Sequence, residues 1–156
     1  MVSHIYLLLH DIRSAHNVGA ILRTADATGV SKVYFSGFTP APIDRFGRAR
    51  PDIAKASLGA EKTVPWESVV DPIELIQKLK KENVKIIALE QNEKSIDYTK
   101  VSKTGDILVV FGREVEGIEE GILDICDEIV EIPMKGEKES LNVSVAAGIL
   151  LYKIIE

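Results

Sequence analysis

The chain has 156 residues, 46% hydrophobic and 28% charged, with a formal net charge of −5. That is enough chain for one domain with a full core, so stabilisation by disulfides or metal is not required. A single cysteine, Cys126, excludes an intrachain disulfide, reads as a small buried residue, and leaves nothing that resembles a zinc site; no metal is expected. The apolar run Ile5 to Leu9 is too short for a membrane span and lacks a basic flank, which points to a cytoplasmic protein. The acidic balance argues against strong nonspecific nucleic-acid binding but permits a local basic patch.

In chain order, His4 to Leu9 predicts a buried strand. Asn17 to Gly29 predicts a helix carrying Val18, Ile21, Leu22 and Ala25 at helical spacing, with Gly29 as its stop. Lys32 to Ser36 predicts a second strand, and the Gly-, Pro- and Arg-rich stretch 37–51 a loop, followed by a short helix over Asp52 to Leu58. Asp71-Pro72 opens a helix running to Asn83, because Asp is a good N-cap and Pro suits the first turn. Strands are expected at Lys85 to Leu89, Asp106 to Phe111 and Glu128 to Pro133, and helices at Ile118 to Cys126 and Leu141 to Ile155. Strands separated by helices of this size imply a single α/β domain over residues 1–156, a parallel sheet with helices on both faces.

Three stretches concentrate polar residues where ligands of such sheets bind, beyond the carboxyl ends of the strands. The first, His16 to Ala25, holds Asn17 and Arg23. Six residues apart on a helix, these two differ by about 120° in direction and do not share a face; by itself Asn17 also reads as an N-cap and Arg23 as a solvated charge. The second runs from Leu108 through Phe111-Gly112-Arg113-Glu114 to Gly117-Ile118, an apolar strand ending in a glycine that lets a ligand approach the backbone. A plain turn with solvated Arg113 and Glu114 is the competing reading. The third runs from Ile132-Pro133-Met134-Lys135-Gly136 to Ser140-Leu141-Asn142-Val143-Ser144-Val145-Ala146, where Ser140 or Asn142 could equally cap the last helix and Met134 fill the core. Separately, Arg45, Arg48, Arg50 and Lys55, interleaved with Phe46, form a basic stretch suited to RNA backbone contact and base stacking, against the alternative of a solvated loop.

Taken together, N-x-G-x-I-x-R-T-A, F-G-x-E-x-x-G and I-P-M-x-G…S-L-N-V-S-V-A resemble, in order, the three motifs of SpoU/TrmH-type RNA methyltransferases of the SPOUT superfamily, and the resemblance covers essentially the whole chain. It implies an α/β fold whose C-terminal segment makes a deep trefoil knot, and binding of S-adenosylmethionine in the loops 89–92, 111–117 and 132–142. It also implies a homodimer with its site at the subunit interface, and 2′-O-methylation of ribose in tRNA or rRNA. By the same resemblance Asn17, Arg23, Glu114, Ser140 and Asn142 are the catalytic candidates. Leu89, Gly112, Glu114, Gly117, Ile132, Met134, Leu141 and Asn142 are those for the cofactor. Arg23 is expected to act as a fixed positive charge on the developing alkoxide or the adjacent phosphate, since guanidinium stays protonated. With its net acidic charge, the chain is expected to grip RNA through the dimer groove or an accessory protein.

Three other readings compete: a module that holds S-adenosylmethionine and RNA without turnover, a SPOUT enzyme methylating a base nitrogen, and a Rossmann dehydrogenase. The assembled polar set disfavours the first and the third motif the second. The dehydrogenase lacks its G-x-G-x-x-G after the first strand, and no Walker-type phosphate loop is present.

Overall fold

The computed structural model describes residues Met1 to Glu156. Seven strands form one all-parallel sheet: β1 (Val2–His10), β2 (Lys32–Ser36), β3 (Trp66–Ser68), β4 (Lys85–Leu89), β5 (Ile96–Asp97), β6 (Gly105–Phe111) and β7 (Glu128–Glu131). Their order across the sheet is β3-β2-β1-β6-β4-β7-β5. The helices are α1 (Ala15–Thr28), α2 (Pro51–Ser57), α3 (Ala60–Thr63), α4 (Pro72–Lys81), α5 (Glu120–Leu123) and α6 (Val143–Ile155). None is long and apolar enough to cross a membrane.

The continuous apolar runs of β1, β4 and β6 follow from burial on both sheet faces. Successive strand residues alternate between two cores: Leu7, Leu9, Val109 and Phe111 join α1, α2 and α6 on one face, while Leu8, Leu108 and Val110 join α4 and α5 on the other. The expected parallel sheet covered on both sides is therefore present.

Several boundaries differ from expectation. Helix α1 starts two residues earlier than Asn17, because Ser14 is the N-cap and its side chain accepts the Asn17 N–H. The segment expected to be helical from Ile118 to Cys126 is helical only over Glu120–Leu123. The Ile118 N–H, outside the helix, donates to the Glu90 carboxylate at 2.7 Å, and the segment ends in i→i+3 turns at Ile125 and Cys126. The last strand stops at Glu131 and the last helix starts at Val143, leaving 132–142 as loop. Strands β3 and β5 and helix α3 were not expected; they have three, two and four residues, too few to show a period.

The glycine of the first motif has a packing role. A Cβ on Gly19 would lie 2.6 Å from Ala56 Cβ and 2.7 Å from the Ile53 carbonyl, so α1 and α2 meet backbone to backbone there. Gly19→Ala is expected to lower stability by about 1–3 kcal/mol through overpacking, read as a drop in the urea midpoint. An unchanged midpoint would mean that this helix crossing yields easily.

Candidate functional site

A cavity of about 510 Å³ opens beyond the carboxyl ends of β4, β6 and β7, a size typical of small-molecule sites. Three loops wall it, those that follow these strands. Leu89, Gly112, Glu114, Gly117, Ile132, Met134 and Leu141 all line it, as does Ser140. Met134 is half-buried at this wall rather than in either core. Asn142 stands just outside, as the N-cap of α6.

The second-motif loop is shaped by two glycines. A Cβ on Gly112 would meet Ile118 Cγ1 at 2.6 Å and the Gly117 carbonyl carbon and Ile118 nitrogen at 2.9 Å. Gly117 has φ +74°, and a Cβ there would run into the Glu90 carboxylate. The loop folds back on itself, with the Gly117 N–H donating to the Arg113 carbonyl at 3.1 Å. Glu90 then clamps it, accepting from Ile118 N at 2.7 Å while its other oxygen accepts from Gln91 N at 3.0 Å. Sequence reasoning missed Glu90; the acidic residue directly after an apolar strand was its only signal.

Polar residues from all three motifs meet at the cavity mouth. The Asn142 amide donates to Asn17 Oδ1 at 3.2 Å, and the Asn17 amide donates to Glu114 Oε1 at 3.3 Å. Asn142 Oδ1 also accepts from Ser144 N at 2.8 Å, so its capping role and its contact with Asn17 coexist. Asn17 is buried, with its amide spent on these partners, and Ser14 does the capping that Asn17 alone suggested. Arg23 is not part of this cluster. It lies about 9 Å further along α1, from six residues at 1.5 Å each, is exposed, and forms no ion pair within the chain.

Behind the cluster lies a charged network that the sequence did not reveal. His10 Nε2 sits 2.5 Å from Glu119 Oε1 and Nδ1 sits 2.8 Å from Ser36 Oγ. Arg113, for which a solvated turn is the competing reading, approaches Asp11 Oδ2 at 3.3 Å and Glu119 Oε1 at 3.6 Å. His10, Asp11 and Glu119 bring their donor atoms within 4.8 Å of one another, as a metal site would. Here the Arg113 guanidinium already supplies positive charge to both carboxylates. The network ties the second-motif loop to the end of β1.

Of the basic stretch, Arg45, Arg48 and Arg50 share one loop, closed by a bridge between Ile43 and Ala49, and exposed Lys55 stands on α2. Arg45 and Arg48 lie over the exposed Phe46 ring at 4.9 and 5.0 Å. Two of the charges are matched locally: Arg48 Nε is 3.3 Å from Asp44 and an Arg50 Nη is 2.9 Å from Asp52. Backbone N–H groups, Arg48 first and then Phe46, hold the Asp44 carboxyl below the usual range, and the Arg50 side chain does the same for Asp52. A carboxyl lowered in the folded state stabilises that state above its unfolded value, near 4, and the contribution is lost as pH falls through the folded value. The loop is therefore expected to loosen below about pH 4, seen as faster hydrogen exchange at the Phe46 and Arg48 amides at pH 3 than the change in intrinsic rate explains. Unaltered protection would remove Asp44 as its organiser. Cys126 is half-buried, and burial pushes its thiol up to about 12, which disfavours the thiolate.

A parallel sheet carrying a glycine-shaped cavity at its strand ends, rimmed by amides and a carboxylate, defines a ligand-binding α/β domain. The SpoU rRNA methylase family model matches residues 4–152. The 23S rRNA (guanosine-2′-O-)-methyltransferase RlmB of Coxiella burnetii is 36% identical over 148 residues, 95% of this chain and 56% of that protein. The TrmH/SpoU tRNA modifying enzyme of A. aeolicus superposes with a TM-score of 0.85 at 30% identity, covering 97% of this chain and 73% of that one. The AdoMet-bound rRNA methyltransferase of Sinorhizobium meliloti gives a TM-score of 0.88 at 25% identity, covering 97% and 56%. The chain belongs to the SpoU rRNA methylase family, and it spans a little over half the length of the curated relative it matches.

Proposed function

We propose that this chain is a single SpoU-type domain that transfers a methyl group from S-adenosylmethionine to a ribose 2′-hydroxyl of tRNA or rRNA, in the cytoplasm. The observation that carries this reading is the hydrogen-bonded series Asn142–Asn17–Glu114, one residue from each motif, at the mouth of the cavity. The relatives' names support the reaction: one is a ribose 2′-O-methyltransferase and another was solved with AdoMet.

The cavity fits the cofactor. Its volume is right, and Gly112 lets the loop turn tightly against Gly117 and Ile118 at the cavity wall. Leu89, Ile132, Met134 and Leu141 offer apolar walls, while the backbone of Gly112 and Gly117 offers polar groups at close approach. When bound there, S-adenosylmethionine supplies an already activated methyl group. The chain's own task is then alignment and electrostatics. The amides of Asn142 and Asn17 point their donors in one direction and fix the Glu114 carboxylate, which together with Ser140 orients the ribose. Arg23 provides the fixed positive charge for the developing alkoxide or a neighbouring phosphate.

Because Arg23 stands apart from the cluster within one chain, the complete site needs a second copy. Support comes from the outward edge of α6, where Val145 and Tyr152 are half-exposed. Gly148 approaches Thr24, next to Arg23, so this apolar edge and Arg23 adjoin. Val145→Glu is expected to convert the dimer to monomer in sedimentation and to cut methyl transfer at least tenfold while the fold stays intact. A dimeric, active variant would contradict the shared site. The sheet order supports the knot implied by the family resemblance: β7 lies between β4 and β5, and the Glu90 N–H donates to the Val130 carbonyl.

The direct test is methyl transfer. Purified protein with radiolabelled S-adenosylmethionine and total RNA lacking this modification should yield a labelled 2′-O-methylnucleoside on digestion. A labelled base would instead indicate nitrogen methylation. Cofactor binding without label, even with a cell extract added, would favour a non-catalytic module.

A further inference from the structure

Two exposed phenylalanines lie between β2 and α2 with arginine over their rings, and Phe38 is two residues beyond the carboxyl end of β2, the end of the sheet at which the cavity opens. Arg45 and Arg48 lie over Phe46, within the basic loop already described. The second pair is separate from that stretch: the Arg13 guanidinium carbon lies 4.4 Å from the Phe38 ring centroid. Phe38 is 68% exposed, far more than a core aromatic tolerates, and Arg13 is exposed as well. Arg13 makes no ion pair with any carboxylate of the chain, unlike Arg48 and Arg50.

The pair is held in place by buried anchors. The Phe38 N–H donates to Asp11 Oδ1 at 2.9 Å, and the other Asp11 oxygen faces Arg113 of the cavity wall at 3.3 Å. The next residue, Thr39, accepts from the Ile12 N–H at 3.1 Å and donates to the Leu9 carbonyl at 2.8 Å. Arg13 immediately precedes Ser14, the cap of the helix that presents Asn17. An exposed ring on a fixed backbone, one face covered by an unpaired cation and linked through a single carboxylate to the cavity wall, is a preorganised stacking surface. Its open face suits a flat π-system and its cation suits a phosphate, a combination found in an unpaired nucleotide. A base inside a duplex has both faces occupied by its neighbours and cannot use it.

We propose that Phe38 and Arg13 form a platform on which an unpaired base stacks, adjacent to the nucleotide presented to the cavity, so that the chain selects RNA whose target lies in a loop or single strand. This deepens the RNA methyltransferase reading and rests on it.

The test uses the full chain and two fluorescein-labelled probes, a twelve-nucleotide oligoadenylate and a blunt RNA duplex of the same length. The wild-type protein is expected to bind the single strand more tightly than the duplex. Phe38→Ala is expected to weaken single-strand binding by about tenfold and leave duplex binding unchanged, while Phe38→Trp retains affinity and its added indole fluorescence is quenched by the probe. Arg13→Gln is expected to weaken the same interaction and lower its salt dependence by about one phosphate contact. Equal wild-type affinity for the two probes, or a Phe38→Ala variant that binds like wild type, would overturn the platform. Calorimetric titration of S-adenosylmethionine into the same variants separates the two levels: cofactor binding intact with stacking lost or absent bears on the platform alone, whereas no cofactor binding in wild type would overturn the underlying reading.

Discussion

Gly112→Ala is expected to reduce affinity for S-adenosylmethionine about 10²-fold, the scale of effect that a displacement near 1 Å produces at a reactive site. The reason is local. The new methyl group would sit 2.6 Å from Ile118 Cγ1 and 2.9 Å from backbone atoms of Gly117 and Ile118. The side-chain contact could relax by rotation; the backbone contacts cannot. Ile118 N is held by Glu90, so the loop must either break that hydrogen bond or move as a unit away from Leu89 and the cavity. Gly121→Ala provides the control, because a Cβ there finds only Ile73 Cδ1 at 3.9 Å and the position is helical. Calorimetry on both variants decides the matter: if Gly112→Ala bound the cofactor like the control, the tight turn would have no part in shaping the site.

Asn17→Ala is expected to lower the rate of methyl transfer by about 10²–10³, the usual consequence of removing one oriented donor from a reaction centre, with cofactor affinity unchanged. Asn17 is the only member of the series with partners on both sides. Its loss leaves the Asn142 amide and the Glu114 carboxylate without the contacts that aim them. The helix itself is spared, because Ser14 rather than Asn17 caps it. Asn142→Ala should behave differently: it removes a helix cap as well, so a stability loss of about 1 kcal/mol accompanies the lost activity. Measuring kcat, cofactor affinity and urea midpoint for both variants separates the roles. Asn17→Ala with near-normal kcat would show that the amide series is architectural only.

The architecture was largely legible because burial on both faces leaves a plain trace. Runs such as Leu7-Leu8-Leu9 and Leu108-Val109-Val110 have no polar alternation, and helical stripes lie between them. What escaped was either very short, as with Trp66–Ser68 and Ile96–Asp97, or decided by a distant group. Ile118, Ile122 and Ile125 have helical spacing, yet the helix covers only Glu120–Leu123, and the Ile118 amide before it is held by Glu90. The site divides the same way. Of the residues singled out in the three motifs, Asn17, Glu114 and Asn142 are hydrogen-bonded in series and seven of the eight cofactor candidates line one cavity, while Arg23 stands apart. Glu90 and the His10–Asp11–Arg113–Glu119 network belong to no local pattern; Glu90 meets Ile118 28 residues on, and the network joins segments about a hundred residues apart. Asn17 shows a third limit, since two good capping residues stood within four positions and composition could not choose between Ser14 and Asn17.

The strand order has a consequence for synthesis on the ribosome. β4 has β6 on one side and β7 on the other, and β5 pairs with β7 alone. When residues up to about 127 have emerged, the apolar edge Lys85–Leu89 can find β6 but has no second neighbour, and Ile96–Asp97 has none at all. The nascent chain thus carries an unprotected sheet edge until residues 128–131 arrive, a template for pairing with another chain. Completion is then a non-local step that brings β7, the 132–142 loop and α6 into place together, so the cavity acquires its third wall at the moment the sheet closes. Competence to bind and completion of the fold become a single late event, and a ligand that fits the cavity would favour chains that have finished folding over those that have not.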